Sequence, residues 1–484
     1  MKKLSLRELL YLIILFFILT GLMLIFSTST SPLYPNEYGY DSAFFRFIGD
    51  SILKGKTIYK DIWDHKGPVF YFLQAIGALH GTRNEKISLI FVMQICSLAA
   101  SVYIMDRTDR LEAKTKHQRL RFALLLTCAL SVCFTFFSGG EAGNLTEEWS
   151  FVPICFSLFL FVKYALNASQ IPTHPCRYAF WHGINFALLA FTRINNAISI
   201  CAGIVIIGIY LIYKRQWKNI FQNILSGVLG IAIITIPVML YFQQKHALND
   251  MLFAVFGFNF RYIDQNTHID LNPANLFIKY FPIIFTLLIW IIHFFRAHKL
   301  CLIDAISLAV IISNAGLLLH NNIYTHYFVV YFPVLFFTLI LYVRPNHRLE
   351  MILTLCLSII YIRTSFQVAK TDISADYSPS FRTENLFIPK SERNSAIAVN
   401  VNPKIYLNTG IFPVSRFAAN QSLLFSVMPE FEEEFHSTIE NEQPLWIITP
   451  CKLENTLLKI RHLIETQYEY RFSDTPYCFY RQKE

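Results

Sequence analysis

Charged residues are scarce in this sequence. Asp, Glu, Lys and Arg make up 15% of its 484 residues, whereas soluble domains carry roughly 25%. Hydrophobic residues make up 54% of the chain, and 45 of them are Phe. A soluble chain of this length would divide into about three domains. The shortage of charge argues against that arrangement and favours one helical body in a membrane.

Motifs for metals, nucleotides and nucleic acids are also missing. The sequence has no CxxC pair and no Cys/His metal spacing, and most of its ten Cys lie in apolar segments, where Cys behaves as a small hydrophobic residue. No glycine-rich nucleotide loop is present. The net charge of +9 would suit nucleic acid, but the basic residues form short clusters between apolar runs. We therefore expect no nucleic-acid partner, no metal and no cofactor.

Long apolar runs predict membrane-spanning helices, because a bilayer core of about 30 Å takes about 20 apolar residues. The first run, residues 9–26, exceeds the roughly 7–15 residues of a signal-peptide core and is predicted to be a retained signal anchor. About eleven spans are predicted, at residues 9–28, 87–105, 122–137, 149–162, 178–192, 194–213, 220–242, 277–295, 302–319, 327–342 and 351–366.

The Lys and Arg residues alternate between the two sides of these spans. One set of loops carries clusters such as residues 107–121 and 214–218, whereas the short loops at 139–148 and 320–325 carry no Lys or Arg. Basic loops stay in the cytoplasm. The pattern predicts a cytoplasmic N-terminus. The longer segments predicted on the extracytoplasmic side of the membrane are residues 29–86, residues 243–275 and the tail after residue 367.

The tail mixes strand-like and helical patterns. "AIAVNV" (396–401) and "LWIITP" (445–450) are typical of strands, and "KLENTLLKIRHLIETQ" of a helix. We predict a small extracytoplasmic α/β domain over residues 367–484, following a membrane body over residues 1–366. Cys451 and Cys478 can form a disulfide in an oxidising compartment or remain free thiols.

The first outer segment, residues 29–86, has the pattern of two helices. In "DSAFFRFIGDSILKG" three polar residues recur at every fourth position among Phe and Ile: Arg46, Asp50 and Lys54. This pattern predicts an amphipathic helix in the lipid headgroup layer that ends at Gly55. Gly67-Pro68 predicts the start of a second helix.

Ionisable residues crowd the connection "YKDIWDHKGP" (59–68) between these helices. At the membrane surface, Lys66 can pair with a phosphate, and Asp41 can take a proton from a hydroxyl. Alternatives remain for each. Asp41 suits a helix N-cap, Lys66 suits snorkelling or binding to lipid headgroups, and Asp61 and Asp64 suit turns and caps.

The stretch "YGYDSAFFRFIGDSILKGKTIYKDIWDHKGP" (38–68) resembles the GT-C superfamily of membrane glycosyltransferases. Its pattern is similar to bacterial relatives of the protein O-mannosyltransferases and of the aminoarabinose transferase that modifies lipid A. The resemblance covers about residues 1–366. It implies an all-α polytopic body in the bacterial inner membrane, with its active site at the outer surface.

The resemblance also implies roles for individual residues. Asp41 matches the catalytic base, and Lys66 matches the lysine that contacts the lipid-linked phosphate. Ser42 stands where many relatives have a second acid, which argues against a metal there. The likeness assigns the Tyr59-x-Asp61 pair to the substrate.

Later segments add four more candidates. In "GGEAGNLTEEWSF", Glu147 matches a second catalytic acid, with Glu148 and Glu141 as rivals. "YTHYFVVYFP" places His326 and Tyr327 at the substrate. Arg193, in "FTRINNA", is a candidate for the donor phosphate, although an Arg at the interface also suits snorkelling.

These features predict an inverting glycosyltransferase. It would move a hexose or pentose from a polyprenyl-phosphate donor in the membrane lipids to an extracytoplasmic glycan, lipid or protein. A transporter or flippase of lipid-linked saccharides is the main alternative, but it predicts broken spans and internal repeats, which the sequence does not clearly show. A polysaccharide polymerase or ligase, or a non-catalytic envelope scaffold, also remains open.

Overall fold

The computed structural model describes most of the chain. The described residues are 6–27, 29–34, 39–80, 88–112, 143–265, 273–297, 299–319, 325–343, 352, 359, 388–453, 457–474 and 476–484. Apart from two isolated positions, the predicted spans 122–137 and 351–366 lie outside them, as does the candidate acid Glu141.

The described part of the chain up to residue 343 is mainly helical. In order, its α-helices are α1 (Leu6–Phe26), α2 (Tyr40–Leu53), α3 (Pro68–Ala78), α4 (Leu89–Glu112), α5 (Thr146–Trp149), α6 (Phe151–Ala165), α7 (Cys176–Arg193), α8 (Ile198–Tyr213), α9 (Trp217–Gln244), α10 (Leu248–Leu252), α11 (Phe258–Gln265), α12 (Pro273–Arg296), α13 (Leu302–Leu319) and α14 (Phe332–Tyr342). A π-helical turn (Phe253–Gly257) and two 3₁₀ turns (Ile194–Ala197 and Thr325–Tyr331) link some of them.

Several of these helices have the length and composition of membrane spans. Within the described residues, four stretches qualify: Leu89–Leu111, Thr146–Ala165, Cys176–Tyr213 and Trp217–Gln244. Five shorter apolar helices accompany them. The prediction of a body of apolar helices is confirmed, and the number of eleven spans stays a prediction.

Glycine allows α7 and α9 to approach closely. A Cβ atom on Gly183 of α7 would lie 2.1 Å from the Gly227 carbonyl oxygen, and one on Gly230 of α9 would lie 2.1 Å from the Phe180 carbonyl oxygen. Small residues at such crossings are how membrane helices gain contact area. The crossing fixes the direction of α7, whose far end carries Arg193.

The C-terminal part is a four-stranded sheet with helices. Its elements are β1 (Ala396–Ala398), α15 (Lys404–Thr409), α16 (Gln421–Val427), α17 (Pro429–Glu442), β2 (Trp446–Pro450), α18 (Leu458–Gln467), β3 (Tyr468–Asp474) and β4 (Tyr477–Gln482). The strand order is β1-β2-β4-β3, with β1 and β2 parallel and the other pairs antiparallel. Cys451 and Cys478 form a disulfide, which decides between the two alternatives left open by the sequence.

The helix limits in the first outer segment agree with the predicted caps. Gly55 follows the end of α2 with a positive φ of 86°, a conformation that glycine adopts without strain. Gly67 is the N-cap of α3, and Pro68 occupies its first turn. The chain between these two glycines therefore runs as a defined connection from one helix to the next.

The surroundings of α2 differ from the prediction. Its apolar face packs on the C-terminal part, where the Phe47 ring stacks on Tyr406 with centroids 4.6 Å apart. Arg46, which we placed on a polar stripe, is only 5% exposed and donates to the Ser29 carbonyl at 3.2 Å. Either lipid or a folded domain can cover the apolar face of such a helix. The spacing of apolar residues is the same in both cases, so the sequence alone does not tell which one covers α2.

The C-terminal part also holds the connection between α2 and α3. The Trp63 backbone N–H donates to the Arg416 carbonyl at 2.8 Å, and Arg416 Nη1 donates to the Tyr59 carbonyl at 3.1 Å. The Trp63 ring packs edge-on against Phe431 at 5.0 Å. The connection that carries Lys66 is thus fixed by a residue more than 300 positions later in the chain.

Candidate active site

Asp41 lies in the first turn of α2. The N-cap of that helix is Gly39, with no side-chain cap, so the alternative role of Asp41 as the N-cap is wrong. A carboxylate in a first turn is stabilised by the positive end of the helix dipole. Its charge acts on the side chains of Tyr71, in α3, and His326, in the 3₁₀ turn before α14.

Lys66 is fixed from both sides by its neighbours. The Tyr59 hydroxyl donates to the Lys66 carbonyl at 2.8 Å. The next residue, Gly67, donates its N–H to the Thr192 carbonyl at 2.9 Å, and a Cβ there would lie 2.1 Å from the Phe191 carbonyl carbon. Only glycine permits this approach, which brings Lys66 to the end of α7.

Tyr59 and Asp61, both predicted at the substrate, have local partners in the structure. Tyr59 is fully buried and has a positive φ of 74°, an uncommon conformation for a bulky residue. Asp61 Oδ2 accepts from the Thr57 N–H at 2.7 Å, as in the turn role considered as an alternative. The observed contacts of both side chains hold the shape of the connection.

A chain of polar contacts runs through Asp64, His65 and Lys66. His65 Nε2 lies 2.9 Å from Lys66 Nζ, and His65 Nδ1 lies 3.1 Å from Asp64 Oδ1. Because an ammonium only donates, Nε2 accepts and Nδ1 carries the proton of a neutral ring. The Tyr71 hydroxyl donates to Asp64, and Asn259 Nδ2 donates to the His65 carbonyl at 3.0 Å.

Charge and burial set the protonation of this chain. Burial acts to raise the pKa of Asp64, but the positive charge of Lys66 and the contacts with His65 hold that pKa below its usual value. Burial, and next the charge of Lys66, lower the pKa of the His65 imidazole below its ordinary 6.5. At neutral pH Asp64 is therefore a carboxylate and His65 a neutral imidazole.

Glu147, Arg193 and Tyr327 form a second group of contacts. The Arg193 guanidinium forms an ion pair with the Glu147 carboxylate, whose side chain is 2% exposed. The same guanidinium lies 3.9 Å from the centroid of the Tyr327 ring, and the His326 ring packs edge-on against Tyr327 at 4.7 Å. Arg193 is held by a buried acid, which differs from a snorkelling side chain.

The two groups meet at His326. Electrostatic interactions reach its imidazole from Glu147, Asp41, Arg193 and Lys66. These residues come from α2, the connection after it, α5, α7 and the turn before α14. Two acids and two cations, predicted separately along the sequence, therefore act electrostatically on one side chain.

Glu148, the rival of Glu147, belongs to a different network. Its Oε2 accepts from Gln94 Nε2 at 2.9 Å and from the Asn144 N–H at 3.1 Å. Asn144 Nδ2 donates to Ser42 Oγ at 3.1 Å. Ser42 thus joins a buried network beside Asp41. The sequence did not predict Gln94 or Asn144, because an isolated amide, whether in an apolar run as Gln94 or in a glycine-rich loop as Asn144, leaves no periodic pattern.

In the described part of the chain, no group of three or more His, Cys, Asp or Glu side chains has a geometry that could hold a metal ion. The cations near the acids are the side chains of Lys66 and Arg193.

Known proteins match this chain in structure but not in sequence. No family model and no curated protein matches the sequence. The crystal structure of ArnT from Cupriavidus metallidurans bound to undecaprenyl phosphate aligns with 97% of this chain and 97% of its own, at a TM-score of 0.60 and 11% identity. ArnT is the lipid A aminoarabinose transferase.

A second match comes from an archaeon. The oligosaccharyltransferase AglB of Archaeoglobus fulgidus, in complex with an inhibitory peptide and a dolichol-phosphate, aligns with 99% of this chain and 75% of its own, at a TM-score of 0.52 and 11% identity. Both proteins are GT-C glycosyltransferases. This protein has the GT-C fold. The resemblance predicted from the first outer segment is confirmed, and it extends over nearly the whole chain.

Within this GT-C chain, we predict that Tyr59→Phe weakens the use of the donor. The substitution removes the hydrogen bond to the Lys66 carbonyl, which is worth roughly 0.5–1.5 kcal/mol, and loosens the backbone of Lys66. We expect the KM for a lipid-phosphate donor to rise about 2- to 10-fold, with kcat changed less.

Tyr164→Phe is the matched control, because the Tyr164 hydroxyl also donates to a backbone carbonyl, that of Pro172, at 2.7 Å. It should leave the KM for the donor unchanged. Equal KM values for Tyr59→Phe and the parent would show that this hydrogen bond does not position Lys66.

A pH dependence of stability follows from His65. In the folded chain the pKa of His65 is below the ordinary 6.5. As the pH falls through 6.5, the unfolded chain therefore takes up a proton at His65 before the folded chain does, and the folded state loses stability. His65→Gln keeps an acceptor for Lys66 but does not titrate. We expect the apparent melting temperature in detergent to fall less steeply between pH 7.5 and 5.5 in the variant. Identical slopes would contradict this assignment.

Proposed function

We propose that the protein is an inverting glycosyltransferase that moves a sugar from a polyprenyl-phosphate donor to a hydroxyl acceptor outside the cytoplasm. The observation that carries this proposal is that the Lys66-Gly67 connection packs against the end of α7, where Arg193 pairs with Glu147, and that the charges of Asp41, Glu147, Lys66 and Arg193 all act on His326. A base and two cations at one position suit the transfer of a glycosyl group away from a phosphate.

The cations serve the leaving group. As the bond between the anomeric carbon and the phosphate oxygen breaks, negative charge grows on the lipid phosphate. In this proposal Lys66 and Arg193 stabilise that charge, and preorganised charges of this kind lower the barrier. Glu147 holds Arg193 in place and partly neutralises it, which favours release of the lipid phosphate after transfer.

Asp41 serves the acceptor. Its carboxylate takes the proton as the acceptor hydroxyl oxygen forms a bond to the anomeric carbon. A single displacement with one base and no protein nucleophile inverts the configuration at that carbon, whereas retaining glycosidases use a second carboxylate as the nucleophile. The sugar leaves the phosphate and joins the acceptor in one step.

The membrane setting of the proposal rests on the apolar helices and on the loop charges. We place the protein in the bacterial inner membrane, with the N-terminus in the cytoplasm and the site and the C-terminal part on the outer side. The two structural neighbours hold undecaprenyl phosphate and a dolichol-phosphate, which supports a polyprenyl-phosphate partner here.

The proposal is tested by mass spectrometry of envelope lipids and glycans from cells with and without the gene. We expect one glycosylated envelope component to disappear and one polyprenyl-phosphate sugar to accumulate. Re-expression of the parent chain should restore both, and Asp41→Asn should not. Unchanged lipids and glycans, or full restoration by Asp41→Asn, would refute the proposal.

A further inference from the structure

A large cavity lies at the opposite end of the helix bundle from the candidate active site. It has a volume of about 1200 Å³ and is lined by the last residues of α6, α8, α12 and α14 and by the first residues of α13. Helix α6 begins beside Glu147 and ends at this cavity after 15 residues, which is roughly 22 Å. The cavity is therefore separate from the site described above.

The cavity walls carry mainly positive charge. Lys214, Arg296 and Lys299 line it, and Asp304 is the one acid among the described lining residues. The Asp304 carboxylate already accepts from the Cys301 N–H at 2.7 Å and from the Tyr342 hydroxyl at 3.1 Å. Two lysines, Lys214 and Lys299, thus face the cavity, and the one acid among its described lining residues already accepts hydrogen bonds.

Asp304 also orders one wall of the cavity. It lies 3.1 Å from His293 Nε2, and the His293 ring lies over Tyr342 with centroids 4.4 Å apart. Asp304 is 3% exposed, and its backbone carbonyl accepts from Trp290 Nε1 at 3.1 Å. This wall is built from side chains with fixed partners.

The other side of the cavity is apolar. Ile303 and Leu341 line it, together with Leu166, Leu300 and Leu302. Cationic side chains beside an apolar wall match a ligand with an anionic head next to a hydrocarbon chain. Such a ligand would place its phosphate near Lys214 and Lys299, both of which are exposed.

We propose that this cavity binds the phosphate headgroup of an anionic lipid. The volume exceeds the roughly 300–1,000 Å³ of common small-molecule sites, so it has room for a phosphate headgroup and the start of its chain. Two sources share this chemistry: an anionic phospholipid of the membrane and a polyprenyl phosphate. The inference does not depend on the proposed sugar transfer.

The test is a lipid titration of the full-length chain in detergent, followed by native mass spectrometry. Phosphatidylglycerol, undecaprenyl phosphate, zwitterionic phosphatidylcholine and inorganic phosphate are added separately. The variant Lys214→Gln/Lys299→Gln removes two charges from the cavity. The control variant Arg215→Gln/Lys218→Gln removes two nearby charges that do not line the cavity.

We expect an anionic lipid to bind about tenfold tighter than phosphatidylcholine. The Lys214→Gln/Lys299→Gln variant should bind the anionic lipid about tenfold more weakly than the parent, whereas the Arg215→Gln/Lys218→Gln variant should keep the parent affinity. The tighter of the two anionic lipids identifies the source. Bound lipid should also slow alkylation of Cys301, which lines the cavity and is exposed.

Three results would overturn the proposal. The first is equal binding of anionic and zwitterionic lipids. The second is an equal loss of affinity in both double variants, which would indicate general attraction to a basic surface. The third is protection of Cys301 by inorganic phosphate alone as strong as that by lipid, which would indicate a site for small anions.

Discussion

Replacing Asp41 with Asn is expected to lower the rate of sugar transfer by about 100- to 10,000-fold, the range that general acid–base catalysis supplies. Asn has nearly the same shape but does not accept a proton. The Asp41 carboxylate lies in the first turn of α2 and is not its N-cap, so the fold loses no cap. The measurement is transfer from a radiolabelled polyprenyl-phosphate sugar by reconstituted protein.

Asp50→Asn is the matched control for this prediction. Asp50 lies on the same helix and forms an ion pair with the exposed Lys54. An exposed ion pair within one helix stabilises the fold by only roughly 0.3–0.5 kcal/mol. The control should transfer sugar at the parent rate. If Asp41→Asn is as active as Asp50→Asn, then Asp41 is not the base.

Replacing Arg193 with Gln is expected to lower both activity and stability. It leaves the buried Glu147 carboxylate without its partner, and breaking a buried ion pair in this way costs about 3–5 kcal/mol. It also removes a cation from the leaving phosphate. The measurements are the apparent melting temperature in detergent and the rate of donor consumption.

The double variant Glu147→Gln/Arg193→Gln separates the two effects. It contains no unpaired buried charge, so the melting temperature should recover most of its loss, whereas transfer should stay low. Arg461→Gln breaks the exposed pair with Glu465 and should change stability by less than about 1 kcal/mol. Parent-level transfer by the double variant would show that the pair serves only the fold.

The local features of the fold were predictable from sequence, since each depends on neighbouring residues. The fourfold spacing of Arg46, Asp50 and Lys54 indicates α2, and Gly55 and Gly67 mark its end and the start of α3. The pattern does not tell whether lipid or protein covers the apolar face. In the structure Tyr406 does, and a contact with a distant domain leaves no trace in the local spacing.

Site residues were predictable as candidates but not as partners. Arg193 and Glu147 are 46 positions apart, and the contact of Arg416 with the Tyr59 carbonyl joins residues 357 apart. Such pairs arise when helices assemble. The contacts of His65 with Asp64 and Lys66 do not follow from the sequence either, although these residues are its neighbours, because side-chain direction in an irregular connection does not follow from spacing.

The most direct test of the central claim is phosphorus NMR of the reconstituted protein with a polyprenyl-phosphate sugar and an acceptor-containing envelope extract. We predict that the phosphodiester resonance of the donor is replaced by the monoester resonance of the lipid phosphate. The replacement should require the extract and should be nearly absent with Asp41→Asn. A donor signal that persists with the parent chain across the candidate sugars, or that disappears equally fast with Asp41→Asn, would contradict the proposed chemistry.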